Sequence, residues 1–273
     1  MSTVKLTTGA VPPSNNPSDF PALLAWFKFM EGTGTALTDD VGNVSAMTLS
    51  GTGTHWNTPH ALNLAAATAD IATTPLSNVT FPAFAHGDVL LFEFDLIVPT
   101  GGGGQLIEIG RRVTGVQTGF GSIGVGTEVN TGEVRNSINL RNTTWNTGGG
   151  LVTDTTFHNR SKFPIDSRQH VLSVIDLTDP DGKNIVVRSF NDGIERAQMA
   201  IDTTSLGGFL TGNFMQNNDY RIGERNDGAA NFTGQIYNHR VWRLSSYPTN
   251  MLAIATEMAA NPTGLPQLLR GIS

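Results

Sequence analysis

Apolar and polar positions alternate along residues 88–98. Leu90, Phe92, Phe94 and Leu96 share one parity, and Glu93, Asp95 and Ile97 share the other. A period of two predicts a half-buried strand with the first set against a core. Pro99 and the glycines at 101–104 end it. Short runs of the same character recur at 22–30, 105–110, 119–126 and 134–142. They continue at 168–177, 183–190, 220–223 and 232–244, separated by Gly, Asn and Asp clusters. That spacing predicts a sandwich of antiparallel strands. Thr178-Asp-Pro-Asp-Gly182 between two β-rich runs predicts a hairpin, and Asn191-Asp-Gly193 begins another turn. Only residues 250–260 read as a helix, ended by Pro262. There is no tandem repeat and no heptad pattern.

The organisation follows from the same pattern. Residues 1–20 carry Pro12, Pro13 and Pro17 among Ser and Asn and are expected to form an extended arm. Residues 21–248 are expected to form the sandwich, and residues 249–273 a short helix and a tail. Composition agrees with an all-β chain rich in turns: 31 of the 273 residues are Gly, and only 15% are charged, against about 25% in an ordinary domain. Lys and Arg total 17 against 23 Asp and Glu, a net charge of −6. That balance removes the electrostatic case for nucleic-acid binding. The lack of cysteine excludes disulfides, thiolate metal sites and Cys nucleophiles. The start, Met1 to Thr8, has no apolar core of a signal peptide, and no run approaches 18 apolar residues, so neither secretion nor membrane insertion is expected.

The order of motifs resembles the laminin-G-like, concanavalin A-like jelly rolls. Residues 23–43 (LLAWFKFMEGTGTALTDDVGN) are similar to the opening strand and turn of that superfamily. Residues 89–99 (VLLFEFDLIVP) are similar to its central strand, 168–197 to its paired strands, and 219–248 to its closing strands. The resemblance spans about 21–260. It implies an all-β, two-sheet antiparallel jelly-roll sandwich with a short C-terminal helix. Asn238 and His239 depart from the usual last strand, and 111–165 has no counterpart that can be aligned.

Laminarinase-type glucanases of this superfamily carry Glu-x-Asp-x-x-Glu on the central strand, and a retaining mechanism needs two carboxyl groups about 5 Å apart. Here Glu93 and Asp95 match, but Val98 stands where the second glutamate would be. Without a proton donor for the leaving group, the chain is expected not to be an enzyme, with Glu93 and Asp95 as hydrated polar residues of a concave sheet. A lectin needs an aromatic platform and polar hooks. Trp145, Arg141 and Asn139 share strand parity with each other and are the first candidates, with Glu93 and Asp95 beside them. Trp145 can equally pack beneath a loop or at an interface. Trp26 and Trp242 read as packing. Calcium, an optional ion at loop rims in this superfamily, wants six to eight oxygens. Asp39, Asp40 and Asn43 form one candidate group, and Asp219, Glu224 and Asp227 a second. Both are also ordinary turn chemistry. No other cofactor is expected, and the six histidines show no zinc-like spacing.

A cysteine-free, Thr/Asn/Gly-rich β-protein with a Pro-rich arm suits a bacteriophage virion. The leading expectation is a non-enzymatic virion surface protein (capsid decoration, head fibre or tail accessory), made in the host cytoplasm. Its partners would be other virion proteins, further copies of itself and a cell-surface glycan. The alternatives are a bacterial carbohydrate-binding module or inactive glucanase relative, and a structural cement protein that binds no sugar.

Overall fold

The computed structural model describes residues 12–57, 60–110, 120–130, 133–142, 155–204, 219–224 and 231–273. In chain order the strands are β1 (Leu23–Phe27), β2 (Ala36–Leu37), β3 (Met47–Ser50), β4 (Trp56–Asn57), β5 (Ala61–Leu64) and β6 (Ile71–Pro75). Then come β7 (Val89–Ile97), β8 (Gly104–Gly110), β9 (Phe120–Asn130), β10 (Glu133–Asn142) and β11 (Thr155–Pro164). The last are β12 (Arg168–Asp176), β13 (Asn184–Asn191), β14 (Ile194–Asp202), β15 (Asp219–Ile222) and β16 (Gly234–Leu244), followed by the helix α1 (Met251–Ala260).

The strands make two sheets. The first runs β14-β13-β12-β7-β16-β5-β4, with β1 also paired to β16; the second runs β11-β10-β9-β8-β15-β6-β3-β2. Every ladder between these strands is antiparallel. The sandwich expected from the alternation is therefore the fold. Leu90, Phe92, Phe94 and Leu96 of β7 lie between the sheets. There they join Val171 and Ile175 of β12, and Leu106, Ile107, Ile109, Tyr220 and Ile222 of the second sheet. The turn after β13 has left-handed backbone at Asp192 and Gly193, as a two-residue hairpin of the primed kind requires. Gly193 also lies directly against α1: a Cβ there would lie 2.7 Å from the Thr256 Cα.

The first sheet has a second buried face. Val89, Leu91, Leu172, Val174, Phe190, Trp242 and Leu244 point away from the inner core. They are covered by Phe20, Trp26, Met251, Ile254, Ala255 and Met258, and by Leu265 and Leu269 of the C-terminal segment. That segment is pinned to α1, where the Glu257 carboxylate accepts the amides of Gln267 and Leu268. Residues 12–20 lie along it. Ser14 and Gln267 exchange two hydrogen bonds, and Asn15 accepts the Leu265 amide.

Candidate functional site

β16 changes neighbour along its length. Residues 234–236 pair with β5, and residues 239–242 pair with β1. Between them the register against β7 slips by one residue: Ile236 opposes Leu96, but Asn238 opposes Asp95. Tyr237 is thus the extra residue of a β-bulge, at the point where, among the described residues, β16 has no strand on its β1/β5 side. Bulges re-aim side chains and are frequent beside binding sites. Past this one, His239 opposes Phe94 in the inner core, while Asn238 and Arg240 face the outer side with Asp95 and Glu93.

A pocket of about 430 Å³ opens over the bulge, lined by Lys28, Met30, His60, Arg168, Tyr237, Asn238 and Thr263. That volume lies in the range of small-ligand sites. Each wall is held from behind. The Arg168 guanidinium stacks 4.1 Å over the Tyr237 ring and grips the Asp95 carboxylate through Nε and Nη2. The hydrogen bond to Asp95 raises the Arg168 pKa further. The Lys28 ammonium sits 3.9 Å over the Trp26 ring and 2.5 Å from Asp40. Asn238 accepts Trp26 Nε1–H and donates to the Pro262 carbonyl, both at 2.8 Å. His60 of the lining (φ +54°) and Phe29 (φ +52°), between Lys28 and Met30, hold left-handed backbone. For non-glycine residues that region is sparsely populated and tends to cluster at functional sites.

Next to the pocket floor lies a buried polar seam. Glu93 is fully buried. It accepts from Arg240, from His170 Nε2 at 2.9 Å and from Trp242 Nε1 at 3.2 Å. Burial pushes the Glu93 carboxyl up, but the Arg240 charge and the His170 bond outweigh it and bring the pKa from 4.5 down to about 2. Arg240 also donates to the carbonyls of Gly264 and Pro262, so the seam fixes the strand of chain that carries Thr263 into the pocket. On the opposite face, His239 stacks 4.3 Å from Phe94. Its Nδ1 meets the Glu93 carbonyl at 3.0 Å and its Nε2 the Tyr220 hydroxyl at 2.8 Å. A carbonyl only accepts, so Nδ1 carries the proton and the tyrosine donates to Nε2. Burial lowers the His239 pKa from 6.5 to about 4.

These positions correct the reading of β7. Glu93 and Asp95 do share a face, but that face is sealed, and Asp95 is only 2% exposed. Glu93 is a buried anchor and not a hydrated ligand residue. Asn139 and Arg141 lie in β10, their backbones opposite Gly124 and Ser122 of β9, while Trp145 falls outside the described residues. Asp39 spends its carboxylate on the amides of Trp26, Val41 and Val44. Burial raises its pKa against those bonds. Asp40 holds Lys28, and Asn43 donates to the Leu24 carbonyl. The carboxylates of Asp39 and Asp40 are thus engaged in fastening β1 and its following turn, and the Asn43 side-chain oxygen accepts from the Thr80 hydroxyl. Asp219 and Glu224 both bind Arg221, so a guanidinium stands where an ion was expected; Asp227 lies outside the described residues.

The pocket residues were not among the sequence candidates. The departure at Asn238 and His239 was the one available signal, since it marks the slip in alternation that the bulge produces.

No known family matches the chain, and no curated protein sequence does. Solved structures do match in fold. The crystal structure of HCR/D-Sa-GBL1/C superposes with a TM-score of 0.54 at 11% identity, covering 90% of this chain and 53% of that one. Trypanosoma rangeli sialidase in complex with sialic acid gives 0.50 at 11% identity, covering 89% of this chain and 33% of that one. The same sialidase in a second structure gives 0.50 at 12% identity, covering 88% and 33%. The chain thus spans about half of the first protein and a third of the sialidase. At such identities the likeness shows the fold, a concanavalin-like jelly-roll sandwich.

The same match overturns the expectation that the chain is not an enzyme, because an enzyme carries this fold over most of the chain's length. The physical ground of that expectation also fails. It rested on Val98 replacing an acid on an open strand face, whereas in this molecule the Glu93 face of β7 is closed and Val98 lies in the inner core. A missing acid on a sealed strand says nothing about chemistry elsewhere.

Proposed function

We propose that the chain is a glycan-recognition domain whose site is the pocket over the β16 bulge. The observation that carries this is the pocket itself. An aromatic ring, two cationic side chains, an amide and a hydroxyl converge on about 430 Å³, on a fold shared with a sialidase solved with sialic acid. Saccharides present an apolar ring face and a rim of hydroxyls. Met30, 56% exposed, and the Tyr237 edge supply apolar contact, while Arg168 Nη1, Lys28 and Thr263 supply hydrogen bonds. A virion setting finds no support in the fold or in the structures it resembles.

The test is titration of the full chain with a panel of oligosaccharides, followed by NMR shifts and calorimetry. Binding that disappears in Tyr237→Ala and survives in Trp145→Ala supports the pocket. Binding lost in Trp145→Ala and kept in Tyr237→Ala moves the site to the surface expected from the sequence. Absence of binding across the panel overturns glycan recognition.

A further inference from the structure

We infer, resting on that glycan-binding reading, that the pocket is built for an acidic saccharide, one bearing a carboxylate. The protein carries a net charge of −6, yet among the described residues the Lys, Arg, Asp and Glu side chains that line this pocket are Lys28 and Arg168, both cationic. Arg168 is the exposed partner of its ion pair, whereas Lys28 and Asp40 share their exposure. The Arg168 side chain is 47% exposed against 3% for Asp95, and that of Lys28 is 41% exposed against 32% for Asp40. Neither carboxylate lines the cavity. The described side chains that line the pocket thus present positive charge to it; Asp95 lies behind the wall, and Asp40 stands outside the lining on the far side of Lys28.

The two cations are prepared in the same way. Each is laid over an aromatic ring, Lys28 on Trp26 and Arg168 on Tyr237, and each is tethered by one carboxylate. Such holding removes rotamer freedom before a ligand arrives, which lowers the entropic cost of binding. Donor capacity remains. Arg168 uses Nε and Nη2 on Asp95, leaving the Nη1 edge turned elsewhere, and an ammonium has three donors. Hydrogen bonds between ionised groups are roughly twice as strong as neutral ones, so a carboxylate reaching both cations would gain more than any sugar hydroxyl. A neutral sugar would leave this prepared charge unused.

The experiment compares tetragalacturonate, tetramannuronate and 3′-sialyllactose with tetragalacturonate methyl ester, mannotetraose and lactose, using the full chain at low and high salt. The expected result is that at least one acid binds about tenfold tighter than its neutral counterpart, and that added salt weakens only the acid. Lys28→Gln, and separately Arg168→Lys, which keeps a cation beside Asp95, should each weaken the acid about fivefold and a neutral sugar distinctly less, so that the acid preference narrows. Equal binding of acid and neutral partners overturns the charge inference and leaves glycan recognition standing. An acid preference that neither substitution narrows places the selecting charge outside this pocket and also overturns it. No binding by any of the six compounds overturns both.

Discussion

The two faces of β7 are both sealed, by different means. The inner face, Leu90 to Leu96, meets the second sheet and is apolar throughout. The outer face begins apolar with Val89 and Leu91 under α1, then turns charged with Glu93 and Asp95 under residues 262–264. Alternation identifies which residues share a face; it does not say whether a face is covered. The cover of the outer face comes from the two ends of the described chain, residues 12–22 before β1 and 245–273 after β16. Polar residues tolerate that cover only because each finds a partner, as buried charges must.

The greatest loss should come from Glu93→Leu. If the outer face were hydrated, the change would be nearly neutral. Under a sealed face it strands the Arg240 guanidinium, and losing one partner of a buried pair costs about 3–5 kcal/mol. Thermal and urea unfolding should both show it. Adding Arg240→Met should recover much of the loss, since replacing both partners by apolar groups is often close to neutral. A single mutant as stable as the parent would mean that water reaches Glu93.

Acid should separate the faces next. The His239 pKa falls from 6.5 to about 4 on the inner face, so the folded state binds fewer protons than the unfolded chain in that window. Stability is complete above pH 6.5 and declines by about 3 kcal/mol as pH falls to 4. On the outer face the Glu93 pKa falls from 4.5 to about 2. Its contribution is present above pH 4.5 and is lost, again by about 3 kcal/mol, as pH falls toward 2. Urea midpoints measured against pH should therefore fall in two stages, and NMR should find His239 neutral at pH 5. A His239 that titrates near 6.5 would remove the first stage.

The inner face was legible because it obeys one rule. Period-two alternation placed β7, β12, β13 and β16 within a residue or two, and Asp192-Gly193 announced its turn. The site was not legible, for a physical reason. It depends on one inserted residue, Tyr237, which reverses parity for the rest of β16 and brings Arg240 and Trp242 to the outer face. It also depends on contacts between residues more than 200 apart, such as Trp26 with Asn238. Periodicity has no access to either. Glu93 was visible as a residue of interest, but its environment was assigned by analogy with strands whose outer face is open.

A smaller effect tests the cover itself. Leu269 is fully buried in the outer cluster, against Trp242, α1 and their neighbours. Leu269→Ala should destabilise by about 2–3 kcal/mol, at the low end for a buried leucine because a terminal segment can resettle into the space. Faster amide exchange should follow at residues 262–270 and not at the inner core. Uniform acceleration through both regions would show that the two faces unfold as one unit.

The smallest stability effect belongs to Tyr237→Ala. Tyr237 is the unpaired residue of the bulge and is only half-buried. Its loss removes one hydroxyl bond to Gln235 and the ring beneath Arg168. A cation–π contact at an exposed site is worth about 0.5–1 kcal/mol, so the total cost should stay near 1 kcal/mol. Backbone pairing is untouched, because the bulge places Tyr237 outside the ladder. The consequence for the pocket should be larger than for the fold. Without the ring, Arg168 keeps its grip on Asp95 through Nε and Nη2 but loses the surface that sets its plane. Saccharide binding should then weaken while the melting temperature moves by a few degrees at most. If Tyr237→Ala unfolds the chain like Glu93→Leu, the bulge is part of the sealed face and the pocket over it is a packing feature. If it costs little and binding fails, the molecule keeps its recognition surface on the one stretch of β16 that neither core requires.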